Sequence, residues 1–254
     1  MVMARRRHPV QEPALPLRST PFTRKIERRV LEFIRSRHLL TVAERVLLAV
    51  SGGPDSTALL AILSRLRGEL GVQITAAHFD HMLRGRKEAA TDLAYVQGLA
   101  AVLELPLACG RGDVAARSRR EGQSVETAAR TLRYGFLRRE AKARAASVVM
   151  LGHTLDDQAE SVLLHIIRGS GLDGLAGMRP RSPWPFGRGP EVARPLLALG
   201  REETERYCND AGLQPRQDPT NELLIATRNR VRHEVLPALR AINPGVSEAL
   251  ARLA

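Results

Sequence analysis

Only two cysteines, Cys109 and Cys208, occur in 254 residues, far apart and with no C-x-x-C pair. That scarcity disfavours a disulfide scaffold, a zinc ribbon and an iron–sulfur cluster. Aromatic residues make up 4% of the chain, with a single tryptophan, so base stacking is not expected to be the main grip on a partner. No apolar stretch reaches membrane-spanning length, no signal-peptide core opens the chain, and no internal repeat is visible. A cytoplasmic compartment is expected. Acidic residues are short relative to basic ones, 27 against 39, giving a formal charge of +12 and a pI near 11.0. This balance favours a polyanionic partner, nucleic acid ahead of a membrane surface. An arginine- and alanine-rich composition can also follow from genome base composition, so charge alone does not decide the matter.

What is present is a core-forming chain, 44% hydrophobic and long enough for one α/β domain with an appendage. Residues 1–24 carry Arg5–Arg7 and several prolines without apolar periodicity, and are expected to be a disordered basic arm. Strand and helix signals alternate from residue 25. Helical spacing over 26–38 is followed by an apolar strand at 46–50, a helix at about 56–67, a strand at 73–79 and a helix at 87–104. A short strand at 105–109, a long helix at 123–145, a strand at 148–151 and a helix at 156–168 come next. This alternation predicts a parallel, doubly wound, Rossmann-like α/β sheet with helices on both faces. Residues 169–200 are rich in glycine and proline and read as loop. A helix at 201–211, a polar turn at 217–221, a basic helix from 227 and an amphipathic segment from Pro244 form a helical C-terminal extension.

Ligands in such sheets collect beyond the carboxyl ends of the strands, and three of those ends carry polar motifs. The first is Ser51–Thr57, a glycine turn between a strand and a helix, whose outward N–H groups and helix dipole suit an anion. It is no Walker A loop: no Gly-Lys-Ser/Thr follows, and an acid, Asp55, stands where the lysine would be. The plain alternative is a turn with Ser51 and Asp55 as local caps. At the second end, His78–Arg84, the His78/His81 pair with Asp80 could suggest a metal, but further ligands are not evident; loop structure or substrate contact is the competing reading. The third, Gly152–Glu160, gathers His153, Asp156, Asp157 and Glu160 at a helix start. Helical spacing puts Asp156 and Glu160 on one face and Asp157 toward His153, with Val162, Leu163, Ile166 and Ile167 as the docking stripe. Capping explains one aspartate but not the whole set; holding magnesium, accepting an ammonium or acting as base would explain it. On the long helix, Glu126, Arg130, Arg133 and Tyr134 share a broad face, either a solvated salt-bridged surface or arginines meeting phosphates.

Together these motifs resemble the N-type ATP pyrophosphatases, which split ATP between the α- and β-phosphates. Within that group, His78–Arg84, Glu126–Tyr134, Gly152–Glu160, Gly169–Met178, Arg194–Leu197, Asp218–Asn221, Arg228–Arg232 and Leu236–Pro237 resemble the tRNA(Ile)-lysidine synthetases. The similarity runs in order from about 45 to 245; the first motif is widely shared, the later ones far more specific. It implies a PP-loop catalytic domain over 25–240 and the start of a linker helix at 241–254. In that family the pattern continues into further C-terminal domains that help select tRNA, so tRNA selection is expected to depend on more than residues 1–254. The implied reaction is ATP-dependent ligation of free lysine to C2 of the wobble cytidine of tRNA-Ile with a CAU anticodon. It passes through an adenylated tRNA and releases AMP and pyrophosphate.

The resemblance also implies site roles. ATP would meet Ser51, Gly52, Gly53, Pro54, Asp55, Ser56 and His78, with Mg2+ on Asp55 and Asp157. Catalysis would fall to Asp55, Arg133, His153, Asp157 and Glu160; lysine would meet Asp156, Glu160 and Glu126. Arg84, Arg130, Arg194, Arg228, Arg230 and Arg232 would meet tRNA. Oligomeric state is open, a homodimer included. Competing readings are another PP-loop adenylating enzyme, a tRNA thiolase or a small-molecule amidotransferase, or a non-catalytic RNA-binding remnant. A cytidine thiolase would be expected to carry cysteine pairs, which are absent here.

Overall fold

Alternating side chains divide each central strand between two apolar layers, and that alternation builds the sheet. In the computed structural model, which describes residues 17–83, 85–170, 176–216 and 227–253, β1 (Arg45–Ala49) sends Val46 and Leu48 to one face and Leu47 to the other. Strands β2 (Gln73–Asp80) and β4 (Val148–Met150) alternate in the same way, with Ile74, Ala76, Val148 and Met150 joining the first layer and Ala77 and Val149 the second. The first layer is covered by α1 (Pro21–Ser36), α2 (Pro54–Leu70), α3 (Arg86–Val102) and, beyond the strands, α7 (Arg201–Ala211). The second is covered by α5 (Val125–Ala143), through Tyr134, Phe136, Leu137 and Ala141.

The sheet order is β3-β2-β1-β4-β6-β5, with β3 at Leu107–Arg111, β5 at Arg181–Ser182 and β6 at Glu191–Ala193. All neighbours pair parallel except β5 with β6. Strand order reverses between β1 and β4, and a crevice opens beyond the carboxyl ends at such a switch point. The doubly wound expectation holds.

Several boundaries differ from expectation. Helix α1 starts at Pro21, set by a capping box between Thr20 and Thr23, and Arg18 N donates to Ala211 O at 3.1 Å. Residues 17–24, expected in the disordered arm, are therefore packed structure. Helix α4 (Val114–Glu121) was not expected; Asp113 caps its start and the left-handed Gly122 ends it. The stretch read as loop contributes β5 and β6, two short strands whose composition hides them and whose pairing with β4 defines them. Residues 171–175 and the polar turn at 217–221 lie outside the described residues.

Helix α6 (Leu155–Ile167) leaves the β4 rim and packs through Ala159, Val162, Leu163 and Leu164 on the C-terminal helices. These are α8 (Thr227–Arg230), a π turn at Val231–Val235, α9 (Leu236–Ile242) and α10 (Val246–Leu253). The expected stripe is corrected: Ile166 and Ile167 are exposed, and Leu164 takes their place.

Candidate active site

The glycine turn places an uncapped helix start in the switch-point crevice. Gly52 adopts φ +94°, open to glycine at little cost, and Gly53 caps α2 with no side chain, so the first-turn N–H groups of Asp55 and Ser56 stay free for an anion. The Ser56 hydroxyl stands inside the loop, accepting from the N–H groups of Ser51 at 3.1 Å and Gly52 at 3.2 Å. The end of β4 closes on this turn so tightly that a Cβ on Gly152 would stand 3.2 Å from the backbone of Asp55 and Ser56. An open cavity of about 940 Å3 lies in front. It is lined by the turn, by His78 and Asp80 from β2 and His81 just after it, by Arg133 from α5, by Gly152 and His153, and by Arg201, Glu205 and Arg232.

Desolvation sets the electrostatics. Burial pushes Asp55 up from 3.8 to about 6, more than its hydrogen bond from the Thr204 hydroxyl (2.5 Å) and Arg201 at 3.8 Å can offset. Burial pulls His153 down to about 3 and His81 down to about 4, with Arg133 adding to the effect at both, so both rings are neutral at pH 7. Their Nδ1 atoms are buried without a hydrogen-bond partner. Burial also lowers Arg133, whose Nε is unpartnered and whose guanidinium lies 5.6 Å from the Tyr134 ring centre. His78 Nδ1 pairs with Val50 O at 2.9 Å, fixing that ring beside the loop.

Behind the cavity, acids and arginines interlock. Asp157 is the reciprocal member of the Thr154 capping box, its Oδ2 accepting from Thr154 N at 2.9 Å. Its Oδ1 meets Arg201, Arg228 and Arg232, each at 3.3 Å. Burial alone would raise Asp157, but the guanidinium groups of Arg201 and Arg228 and the bond from the Thr154 backbone N–H hold the carboxyl below its usual range. Glu160 is fully buried; Arg228 donates to it at 2.8 Å and Arg232 at 2.6 Å.

These contacts revise several expectations. Asp156 and Glu160 do not share an environment. Asp156 turns to the Arg201 backbone N–H (2.6 Å), Arg240 and Ser247, while Asp157 and Glu160 share the arginines. Glu126 is exposed at the start of α5 and does not line the cavity. Arg194 is buried, donating to Arg179 O at 2.7 Å and Ser182 Oγ at 3.0 Å, so it is no surface contact for RNA. Arg228 and Arg232 turn inward; of that trio, Arg230 is outermost, paired with Glu234. Arg130 is exposed over the Tyr134 ring. Arg84 lies outside the described residues. Arg201 and Thr204 were missed, since nothing in a helix start at residue 201 signals that it reaches Asp55.

The expected magnesium pair fits in part. No cluster of three or more metal-ligating side chains occurs among the described residues, but magnesium commonly takes one or two carboxylates and completes its shell with phosphates and water. Asp55 suits that role, as a desolvated acid at the cradle. Asp157 does not line the cavity, and Arg201 stands between the two acids, 3.8 Å from Asp55 and 3.3 Å from Asp157.

Comparison with known proteins agrees with this geometry. The sequence profile of the PP-loop domain family matches residues 22–239. The tRNA(Ile)-lysidine synthase of Dehalococcoides mccartyi (strain CBDB1) is 46% identical over 228 residues, 89% of this chain and 48% of that protein. That of Geobacillus kaustophilus (strain HTA426) is 40% identical over 220 residues, 87% of this chain and 47% of that protein. The chain thus spans about half the length of the curated relatives it matches. Among solved structures, the U34-tRNA thiolase NcsA from Methanococcus maripaludis superposes with a TM-score of 0.75 at 16% identity, over 91% of this chain and 77% of that one. An NH3-dependent NAD synthetase from Campylobacter jejuni gives 0.51 at 15%, over 91% and 92%. At such identities these two likenesses speak to the fold alone.

Proposed function

Because the chain belongs to the PP-loop domain family, we propose that it carries the catalytic centre of a tRNA(Ile)-lysidine synthetase. In this reading it ligates free lysine to C2 of the wobble cytidine of tRNA-Ile bearing a CAU anticodon. The observation that carries the reading is the convergence of Ser51–Ser56, His78–His81, Arg133 and Gly152–His153 on one cavity beside an uncapped helix start without a Walker lysine. The names of the relatives support this substrate class, and the cavity at the sheet's switch point supports this site for it.

The chemical difficulty is a poor leaving group on an aromatic ring. The cytidine O2 attacks the α-phosphorus of ATP and pyrophosphate leaves. The lysine amine then adds at C2, and AMP departs with the oxygen. Free N–H groups at the start of α2 receive phosphate oxygens, with Arg133 and Arg201 offsetting charge as it grows on phosphorus. A neutral His153, buried and unpartnered at Nδ1, can donate or accept one hydrogen bond without adding charge. Asp55 would hold the magnesium ion accompanying ATP, and Asp157 would join it only with Arg201 displaced. Bound there, magnesium would neutralise the leaving pyrophosphate. The Asp157–Glu160 pair concentrates buried carboxylate beside the cavity, so an entering ammonium would exchange with one of its guanidinium partners.

The test is product analysis with ATP, lysine and tRNA added singly and together. AMP and pyrophosphate formed only with tRNA present support the reading. ADP as the main product would refute the phosphate chemistry, and AMP formation independent of tRNA would favour a small-molecule ligase.

A further inference from the structure

A second concave surface lies away from the cavity, where the C-terminal half of α5 meets the loop between β5 and β6. Its volume is about 570 Å3, and Arg138, Arg139, Lys142 and Arg188 line it with Gly189 and Pro190 nearby. All four cationic side chains are exposed, and no acid lines the groove. None of the four makes an ion pair or side-chain hydrogen bond with another described residue. Elsewhere on the surface arginines find acids: Arg35 with Glu69, Arg117 with Glu121, Arg144 with Glu140, Arg181 with Glu191. Glu140 even sits on the same helical turn, yet is turned to Arg144. Four unneutralised cations held in one groove repel each other, and an anion laid between them relieves that repulsion.

The groove and the catalytic cavity both border α5. Arg133 lines the cavity, and Arg130 lies exposed over Tyr134, against which the half-exposed Phe186 of the same loop packs at 5.3 Å. From Arg133 to Lys142 the helix advances about 14 Å. The cavity and the groove thus border different sides of one helix, within reach of a single extended ligand. An extended polyanion meets the groove cations together. A lipid surface fits poorly: the site is concave and lined by four cations with only Ala146, Gly189 and Pro190 between them, without the apolar face that interfacial binding needs.

We propose that this groove is a docking site for the sugar–phosphate backbone of the tRNA, separate from the catalytic cavity; the identity of the RNA rests on the function proposed above. Such contacts position RNA without reading its sequence. The groove lies on the α5 face of the sheet, opposite α1.

The experiment measures tRNA binding by fluorescence anisotropy across a salt series. Charge reversal of Arg138→Glu with Arg188→Glu is compared with Arg138→Lys and Arg188→Lys, and with Lys25→Glu and Arg28→Glu on exposed positions of α1. Arg139→Glu with Lys142→Glu serves as a second groove pair should the first disturb folding. Losing two phosphate contacts should weaken binding about tenfold and flatten the log–log salt slope by about 1.4–1.8. The lysine variants should keep the slope, and the α1 control should lose less than about threefold. Equal losses in groove and α1 variants, or no loss in the groove variants, would overturn the proposal. So would a defect confined to phosphatidylserine vesicles, which would mark a membrane surface instead. The ligase reading fails separately: absence of tRNA-dependent AMP from the wild-type chain would sink it, while groove-dependent RNA binding would still stand.

Discussion

Replacing Asp55 by asparagine should make the protein more stable and inactive at once. The carboxylate sits at the start of α2, where the helix dipole alone would favour its charge by roughly 0.3–1 kcal/mol. Its pKa is instead raised from 3.8 to about 6, because burial outweighs the Thr204 hydrogen bond and Arg201. A shift of about two pH units corresponds to roughly 3 kcal/mol against the ionised form. The folded protein binds more protons than the unfolded chain between about pH 4 and 6, so this cost grows as pH rises through that window and is complete above it. Asparagine keeps the shape and can still accept from Thr204, but loses about 1 kcal/mol of charge-assisted bonding. A net gain of about 1–2 kcal/mol is expected near pH 8, shrinking toward zero near pH 4. Urea denaturation at both pH values, with AMP formation assayed in parallel, checks it. A variant less stable than wild type near pH 8, or a difference independent of pH, would refute the desolvation argument. Retained turnover would refute the role of the charge.

Two other substitutions test the neighbouring contacts. Glu160→Gln leaves the guanidinium groups of Arg228 and Arg232 short of one buried counter-charge and should cost about 2–3 kcal/mol in denaturation. If the carboxylate also receives the substrate ammonium, the KM for lysine should rise more than that for ATP, whereas equal losses would make Glu160 purely structural. Gly152→Ala would set a methyl group 3.2 Å from the Asp55 and Ser56 backbone. At about 1.4 kcal/mol of overpacking strain on the cradle, the KM for ATP should rise about tenfold; an unchanged KM would show that β4 does not set the loop.

The chain's local order already carried the fold class and the gathering of polar motifs at one rim of the sheet. Strand, glycine turn and uncapped helix start lie within a dozen residues, and the turn's hydrogen bonds are local, so Ser51–Ser56 could be read as an anion cradle before any neighbour was known. The same holds for the Thr154–Asp157 helix start, set by bonds three residues apart. Local periodicity could not say what each face of that helix would meet. Asp156 and Asp157 are adjacent in sequence, yet one turns to Arg240 and Ser247 and the other to Arg201, Arg228 and Arg232. Arg194 and Arg228 look alike as surface cations in the chain and are respectively a buried backbone clamp and a carboxylate partner. Strands β5 and β6 exist only because β4 offers them an edge. Helix α7 supplies Arg201 and Thr204 to Asp55 across 146 and 149 positions of sequence. Helices and turns follow from interactions a few residues long, whereas strand pairing, desolvation and charge pairing depend on which surfaces the sheet brings together, and only the folded chain decides that.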